Sequence, residues 1–230
     1  MTFWPFQPKS EPPAFGDLVH EDAHYRVTVR AADGDVAVLA FCGVGLQTGG
    51  VQVEEFRTSL GAGASVYYIA DLQRSWWNDG RVESAIEAAL AHARQRQRRM
   101  RFSALGNSMG GSGALLAARL YGEIERVVAF VPQADIRPTA NEDRWHEYRD
   151  HIAVHRWPHF AMPLAVEHRI VFGATRDAPQ REAFEAAGMP VLSFAGMGHD
   201  VAKRLKTELP DDYRDLLRFA LFDDGGRPSA

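Results

Sequence analysis

Residues 101–117 read Arg101-Phe-Ser-Ala-Leu-Gly-Asn-Ser-Met-Gly-Gly-Ser-Gly-Ala-Leu-Leu-Ala, and the fold turns on this stretch. Residues 101–105 are a β-rich run. Residues 110–120 are apolar nearly all the way round at Ala114-Leu-Leu-Ala-Ala, which predicts a buried helix rather than an amphipathic one. Between strand and helix lies Gly106-Asn-Ser-Met-Gly, a Gly-x-Ser-x-Gly sequence centred on Ser108. With this glycine and serine content, chance produces the pattern roughly 0.07 times per chain, before any strand-turn-helix context is required. Small flanking residues let neighbouring backbone come close to a serine held in a strained turn, with its hydroxyl standing above the sheet edge. The helix N-terminus that follows points free N–H groups at the same place.

A serine hydroxyl is a weak nucleophile until a base takes its proton. Of the nine histidines, His199 lies in Ala195-Gly-Met-Gly-His-Asp, directly after the last predicted strand and before a helix starting near Val201. That puts it in a loop at the sheet edge where Ser108 is expected. A carboxylate must then fix the imidazole tautomer and stabilise its charged form. Asp177 follows a strand predicted over residues 169–174, and Asp135 follows one over residues 126–131, so both are candidates. Asp177 also reads as an N-cap for a helix near Pro179.

The rest of the chain alternates strands and helices, which implies a parallel sheet covered on its faces. Strands are expected at residues 25–30, 36–41, 65–69, 101–105, 126–131, 169–174 and 190–194, and helices at 53–60, 82–98, 110–120 and 179–187, with two more closing the chain. Asp33-Gly34 is a tight-turn signal and predicts a hairpin between the first two strands. Between Pro132 and Pro163 the alternation breaks into an aromatic and His-rich segment. It reads as a cap insertion at about residues 138–160, carrying Trp145 or Trp157 to a substrate pocket. The Pro-containing residues 1–13 and the tail from Asp223 read as loosely ordered ends.

Composition narrows the function classes. The 230 residues are 46% hydrophobic and 24% charged with a formal charge of -4, which fits one globular domain and gives no global positive field for nucleic acid. A single cysteine, Cys42, excludes an internal disulfide framework and a thiolate zinc site and fits a reducing compartment. The first ten residues lack the pattern of a secretory signal, and no apolar run reaches the length of a membrane span, so a cytoplasmic protein is expected. His151, His155 and His159 recur every four residues, but Pro158 interrupts any helix there and no carboxylate completes a metal-binding pattern, so no metal is expected.

Ser108, Asp177 and His199, in that order over a strand-helix series, resemble the α/β-hydrolase superfamily across nearly the whole chain. The resemblance implies an α/β fold of three layers: a mostly parallel sheet with an antiparallel N-terminal hairpin and a short cap insertion, all in one domain. It also implies an oxyanion hole of two backbone N–H groups, one from Met109 and one from the loop Phe41-Cys-Gly-Val-Gly, at Val44. Many members carry His-Gly where this chain has Cys42-Gly43. Where such hydrolases place a pocket loop, this sequence carries Asp71-Leu-Gln-Arg-Ser-Trp-Trp-Asn-Asp-Gly, so Trp76 and Trp77 become candidates for stacking on a sugar or flat acyl group.

The expected activity is that of a serine hydrolase, esterase- or thioesterase-like, that needs no cofactor and acts on a small-molecule or glycan acyl substrate. Acyl transfer and a non-catalytic binding role are the alternatives, with a faint likeness to hydrolase-like proteins of polysaccharide biosynthesis.

Overall fold

The computed structural model describes residues 16–45, 52, 54–61, 63–137 and 144–223. Eight strands form one sheet: β1 (Asp17–Glu21), β2 (Tyr25–Arg30), β3 (Val36–Phe41), β4 (Ser65–Asp71), β5 (Arg101–Asn107), β6 (Ile124–Phe130), β7 (Glu167–Gly173) and β8 (Val191–Phe194). Their order is β1-β2-β4-β3-β5-β6-β7-β8. The pairings from β4 to β8 are parallel, and those of β1 with β2 and of β2 with β4 are antiparallel. The central strands are buried over nearly their whole length, as parallel strands covered on both faces must be.

The expected hairpin between β2 and β3 is corrected by this order. β4 lies between them, pairing antiparallel with β2 from Tyr25↔Asp71 to Arg30↔Val66 and parallel with β3. The antiparallel N-terminal hairpin is β1 with β2. The Asp33-Gly34 signal marks a reversal of chain direction, which does occur, but it does not say which strand is the next neighbour. Gly34 has a tertiary reason as well: a Cβ there would strike the Gly63 carbonyl in the loop leading into β4. The helix expected at residues 53–60 is also corrected. Residues 55–59 are turns, and Phe56 takes a positive φ of 65°.

The helices are α1 (Val82–Arg96), α2 (Met109–Leu120), α3 (His146–Arg149), α4 (Ala178–Ala186), α5 (Val201–Glu208) and α6 (Pro210–Ala220). Both α2 and α6 pack on β5 and β6, which puts them on opposite faces and makes three layers. The Tyr121 hydroxyl at the end of α2 lies within donating reach of the Glu87 carboxylate at 3.1 Å and the Glu83 carbonyl at 3.3 Å, tying α2 to α1 on one face, while α5 packs against α6 on the other. α2 is buried from Met109 to Ala118. At about 1.5–3 kcal/mol for each large apolar side chain removed from water, Leu115 and Leu116 anchor it firmly to the sheet. The C-terminal ends of β3, β5, β6 and β7 share one edge, where residues 42–45, Ser108, residues 131–137 and residues 174–177 emerge. Residues 1–15, 138–143 and 224–230 lie outside the described residues, taking with them the expected chain ends and the start of the expected insertion.

Candidate active site

Ser108 sits between β5 and α2 with φ 57° and ψ -124°, a sparsely populated conformation that costs about 1–3 kcal/mol and persists only when its surroundings enforce it. They do so here. The Ser108 N–H donates to the Phe130 carbonyl at 2.8 Å, and the Ser112 N–H donates to the Ser108 carbonyl at 3.2 Å. A Cβ at Gly106 would run into the Gly110 carbonyl, and one at Gly110 into the Phe41 carbonyl. Both glycines of the motif are therefore needed for β5, α2 and β3 to approach this closely.

His199 comes from the loop after β8. Its Nε2 lies 3.0 Å from Ser108 Oγ, and its Nδ1 lies 2.9 Å from Asp177 Oδ1. Asp177 occupies the N-cap position of α4, yet its side chain makes no capping bond. It points at the imidazole instead, so the capping role open to it in the sequence is not the one it takes. An ionised carboxylate only accepts, so Nδ1 carries the hydrogen and Nε2 is left as an acceptor facing the serine. Arg144 adds a cation that the sequence did not single out: its Nη1 is 2.8 Å from Asp177 Oδ1 and 3.5 Å from His199 Nδ1. Burial pushes the Asp177 carboxyl up, but the bond and charge of His199, together with Arg144, outweigh it and hold the group below its ordinary 3.8.

Ser108 and His199 open on a cavity of about 340 Å³, walled by Val44, Glu55, Phe56, Trp145 and Tyr213 among others. The Trp145 ring lies 5.8 Å from the His199 ring, so Trp145, with Arg144 beside it, borders the site. Trp157, the other aromatic of that segment, packs beside Arg156 and donates its backbone N–H to the Asn78 side-chain oxygen, away from this cavity. Met109, buried as the first residue of α2, keeps a first-turn N–H directed beyond the helix end, and Val44 lies in the cavity wall. Beside Val44, the Glu55 carboxyl accepts from the Gly43 N–H and from the Asn107 side chain. Burial raises it to about 7 against the pull of those two bonds.

Trp76 and Trp77 require a correction. Both are fully buried, and neither lines the cavity. An indole N–H in the core needs an acceptor: Trp77 Nε1 donates to the Met109 carbonyl at 2.9 Å, and Trp76 Nε1 to Gln133 Oε1 at 2.9 Å. They support the turn that carries the serine from behind. Asp135 lies in a separate cavity with His159 and Gln180, paired with Arg137 at 2.6 Å and His159 at 3.2 Å. Cys42 is buried, and burial, with Glu55 and Glu54 nearby, pushes its thiol well up, which suits a packing role. His151, His155 and His159 lie beyond the end of α3 and share no helix. Among the described residues there is no cluster of three metal-ligating side chains and no helix long and apolar enough to cross a membrane.

Three residues here escaped the sequence reading. Gln133, whose Nε2 lies 3.3 Å from Ser108 Oγ, follows a strand end, the positional signal that singled out Asp177. Glu55 and Arg144 carry no such signal, because only the tertiary fold brings them to the site.

No protein-family model matches the chain, and no curated protein matches it in sequence. Solved structures do resemble it. The esterase of Pyrobaculum calidifontis superposes with a TM-score of 0.57 at 15% identity, over 86% of this chain and 81% of that one. Est1E of Butyrivibrio proteoclasticus gives 0.57 at 11%, over 90% and 98%. A proline iminopeptidase-related protein of Thermus thermophilus gives 0.57 at 14%, over 90% and 98%. Together with the mostly parallel sheet and its antiparallel beginning, these similarities show the α/β-hydrolase fold.

Proposed function

We propose that the protein is a serine hydrolase that cleaves an ester, thioester or related acyl bond of a small molecule through an acyl-enzyme. One observation carries this reading: a continuous chain from Ser108 Oγ through His199 to the buried Asp177 carboxylate, at 3.0 Å and 2.9 Å, whose serine end opens on a cavity.

In this reading Ser108 Oγ attacks the acyl carbon while His199 Nε2 takes its proton, and Asp177 stabilises the imidazolium that forms. The carbonyl electron pair moves onto oxygen, where the Met109 and Val44 N–H groups receive it. The imidazolium then returns its proton to the leaving group, and water repeats the sequence to release the acid. Residues 144–149 serve as a short cap, with Trp145 as the aromatic surface offered to the acyl or leaving group. With Trp76 and Trp77 in the core, stacking on a glycan loses the residues first suggested for it.

A panel of ester and thioester substrates of graded chain length, assayed with the wild type and Ser108→Ala, tests the proposal. Turnover that vanishes in the variant supports it, and equal turnover in both removes it. Addition of alcohol or amine acceptors distinguishes hydrolysis from acyl transfer by whether they outcompete water.

A further inference from the structure

We infer that Gln133 acts directly on the nucleophile: its side-chain amide donates a hydrogen bond to Ser108 Oγ and thereby fixes the direction in which the hydroxyl points its proton. The inference rests on the serine-hydrolase reading above and adds a residue to it.

Gln133 follows β6 and is completely buried, so its amide must satisfy its hydrogen bonds within the protein. The indole N–H of Trp76 can only donate, and it lies 2.9 Å from the Gln133 side-chain oxygen. That partner fixes the amide orientation, since a flipped amide would bring two donors together. The Nε2 group then faces two atoms, the Val131 carbonyl at 3.2 Å and Ser108 Oγ at 3.3 Å. A carbonyl only accepts and takes one of the two amide hydrogens, which leaves the other for Ser108 Oγ. The Gln133 backbone is held as firmly. Its N–H donates to Ser112 Oγ at 3.0 Å, and its carbonyl accepts from the same hydroxyl at 2.9 Å.

The consequence falls on the serine. Once Oγ accepts from Gln133, its own O–H must find an acceptor elsewhere, and His199 Nε2 at 3.0 Å is that acceptor. Gln133 thus selects the one hydroxyl rotamer from which the proton can leave. It also supports the charge that builds on Oγ as the O–H bond breaks and the bond from Oγ to the acyl carbon forms. No proton moves to or from the amide. The proton goes to His199, and the carbonyl pair goes to the acyl oxygen. The fully buried Trp76 acquires a purpose in this arrangement, as the residue that sets the amide.

The test measures single-turnover labelling of Ser108 by a fluorophosphonate, and kcat and KM on the best ester, in Gln133→Glu, Gln133→Met and Trp76→Phe, with thermal unfolding of each as the control for folding. Gln133→Glu keeps the shape but presents an acceptor that competes with His199 for the serine proton, so labelling and kcat should fall on the order of 10²-fold, the loss typical of a removed transition-state donor. KM should stay near the wild-type value, and the deficit should shrink as the pH is lowered and the new carboxyl regains a hydrogen. Gln133→Met removes the donor without competing, and about a 10-fold loss is expected. Trp76→Phe, which frees the amide to flip, should lose less. If folded Gln133→Met and Gln133→Glu both label at the wild-type rate, the inference is wrong. It is equally wrong if rates fall only in step with stability and without change in pH dependence. A wild type that does not label at Ser108 overturns the hydrolase reading itself, an outcome distinct from the loss of Gln133 alone.

Discussion

The turn after β4 and the turn after β5 both hold buried side chains in left-handed backbone, and they do opposite things. In the turn after β4, Trp76 and Trp77 have φ of 49° and 68°; in the turn after β5, Ser108 has 57°. The first is closed on itself. The Asp71 carboxylate accepts from the Trp77 N–H at 2.9 Å, the Ser75 hydroxyl at 3.0 Å and the Gln73 N–H at 3.1 Å, and the indoles donate inward, Trp77 to the Met109 carbonyl and Trp76 to the Gln133 side chain. The second leaves its side chain facing a histidine and a cavity. Strain and burial therefore mark braced turns in general. What distinguishes a candidate nucleophile is a braced side chain whose polar atom meets open space and a base.

The sharpest way to break this contrast is to alter the open turn. Ser108→Ala should lower turnover by at least about 10³-fold, leaving only what the oxyanion site and binding supply, while the unfolding midpoint barely moves. Asp177→Asn should cost on the order of 10²- to 10⁴-fold in kcat with KM little changed, because the imidazole loses the acceptor that sets its tautomer. Asp135→Asn should leave kcat within a few-fold, since Asp135 serves Arg137 and His159 in the other cavity. Steady-state kinetics on one substrate compare all three.

The closed turn should fail differently. Trp77→Ala removes a fully buried indole stacked on Tyr25 at 6.2 Å and set edge-on to Phe41 at 5.1 Å. A loss of about 3–5 kcal/mol is expected, read from denaturant unfolding. The smallest expected effect is a pH slope. Burial raises Asp71 from its ordinary 3.8 to about 6, although hydrogen bonds from Trp77, Ser75 and Gln73 oppose the shift. A raised carboxyl holds its proton more tightly in the folded chain, so its contribution is full below 3.8 and is lost as the pH rises through about 6. Asp177 runs the other way: held below 3.8, it supports the fold above that value and loses its contribution as the pH falls. Asp71→Asn should flatten the decline in unfolding midpoint between about pH 4 and 6.

How much of this was legible in the sequence follows from how far each signal reaches. The strand-turn-helix over residues 101–120 is local, and its glycines carry their own steric reason, so the turn could be read directly. His199 and Asp177 were legible because strand ends in a parallel sheet converge on one edge. The pairing of β2 was not, because an Asp-Gly turn reports a reversal of direction and says nothing of the strand that enters from 30 residues later in the chain, here β4. Trp76 and Trp77 misled for a related reason: an aromatic pair in a loop after a strand looks the same whether its indole N–H groups meet a ligand or acceptors inside the protein, here the Gln133 side chain and the Met109 carbonyl. Arg144, Glu55 and Gln133 depend on contacts across the fold, of which only the strand-end position of Gln133 leaves a trace in the sequence.

A nucleophilic Ser108 would be the one buried polar side chain of these two turns to become covalently bonded to substrate. Rapid acid quench during turnover of the best ester, followed by tryptic mass spectrometry of the peptide spanning residues 102–119, reads this directly. The acyl group is expected on Ser108 in the wild type, and unmodified peptide in the corresponding segment of Ser108→Ala. An acyl group carried on Ser112 or on another peptide, or full turnover with no acylated Ser108 at any quench time in a protein that hydrolyses more slowly than it acylates, would contradict it.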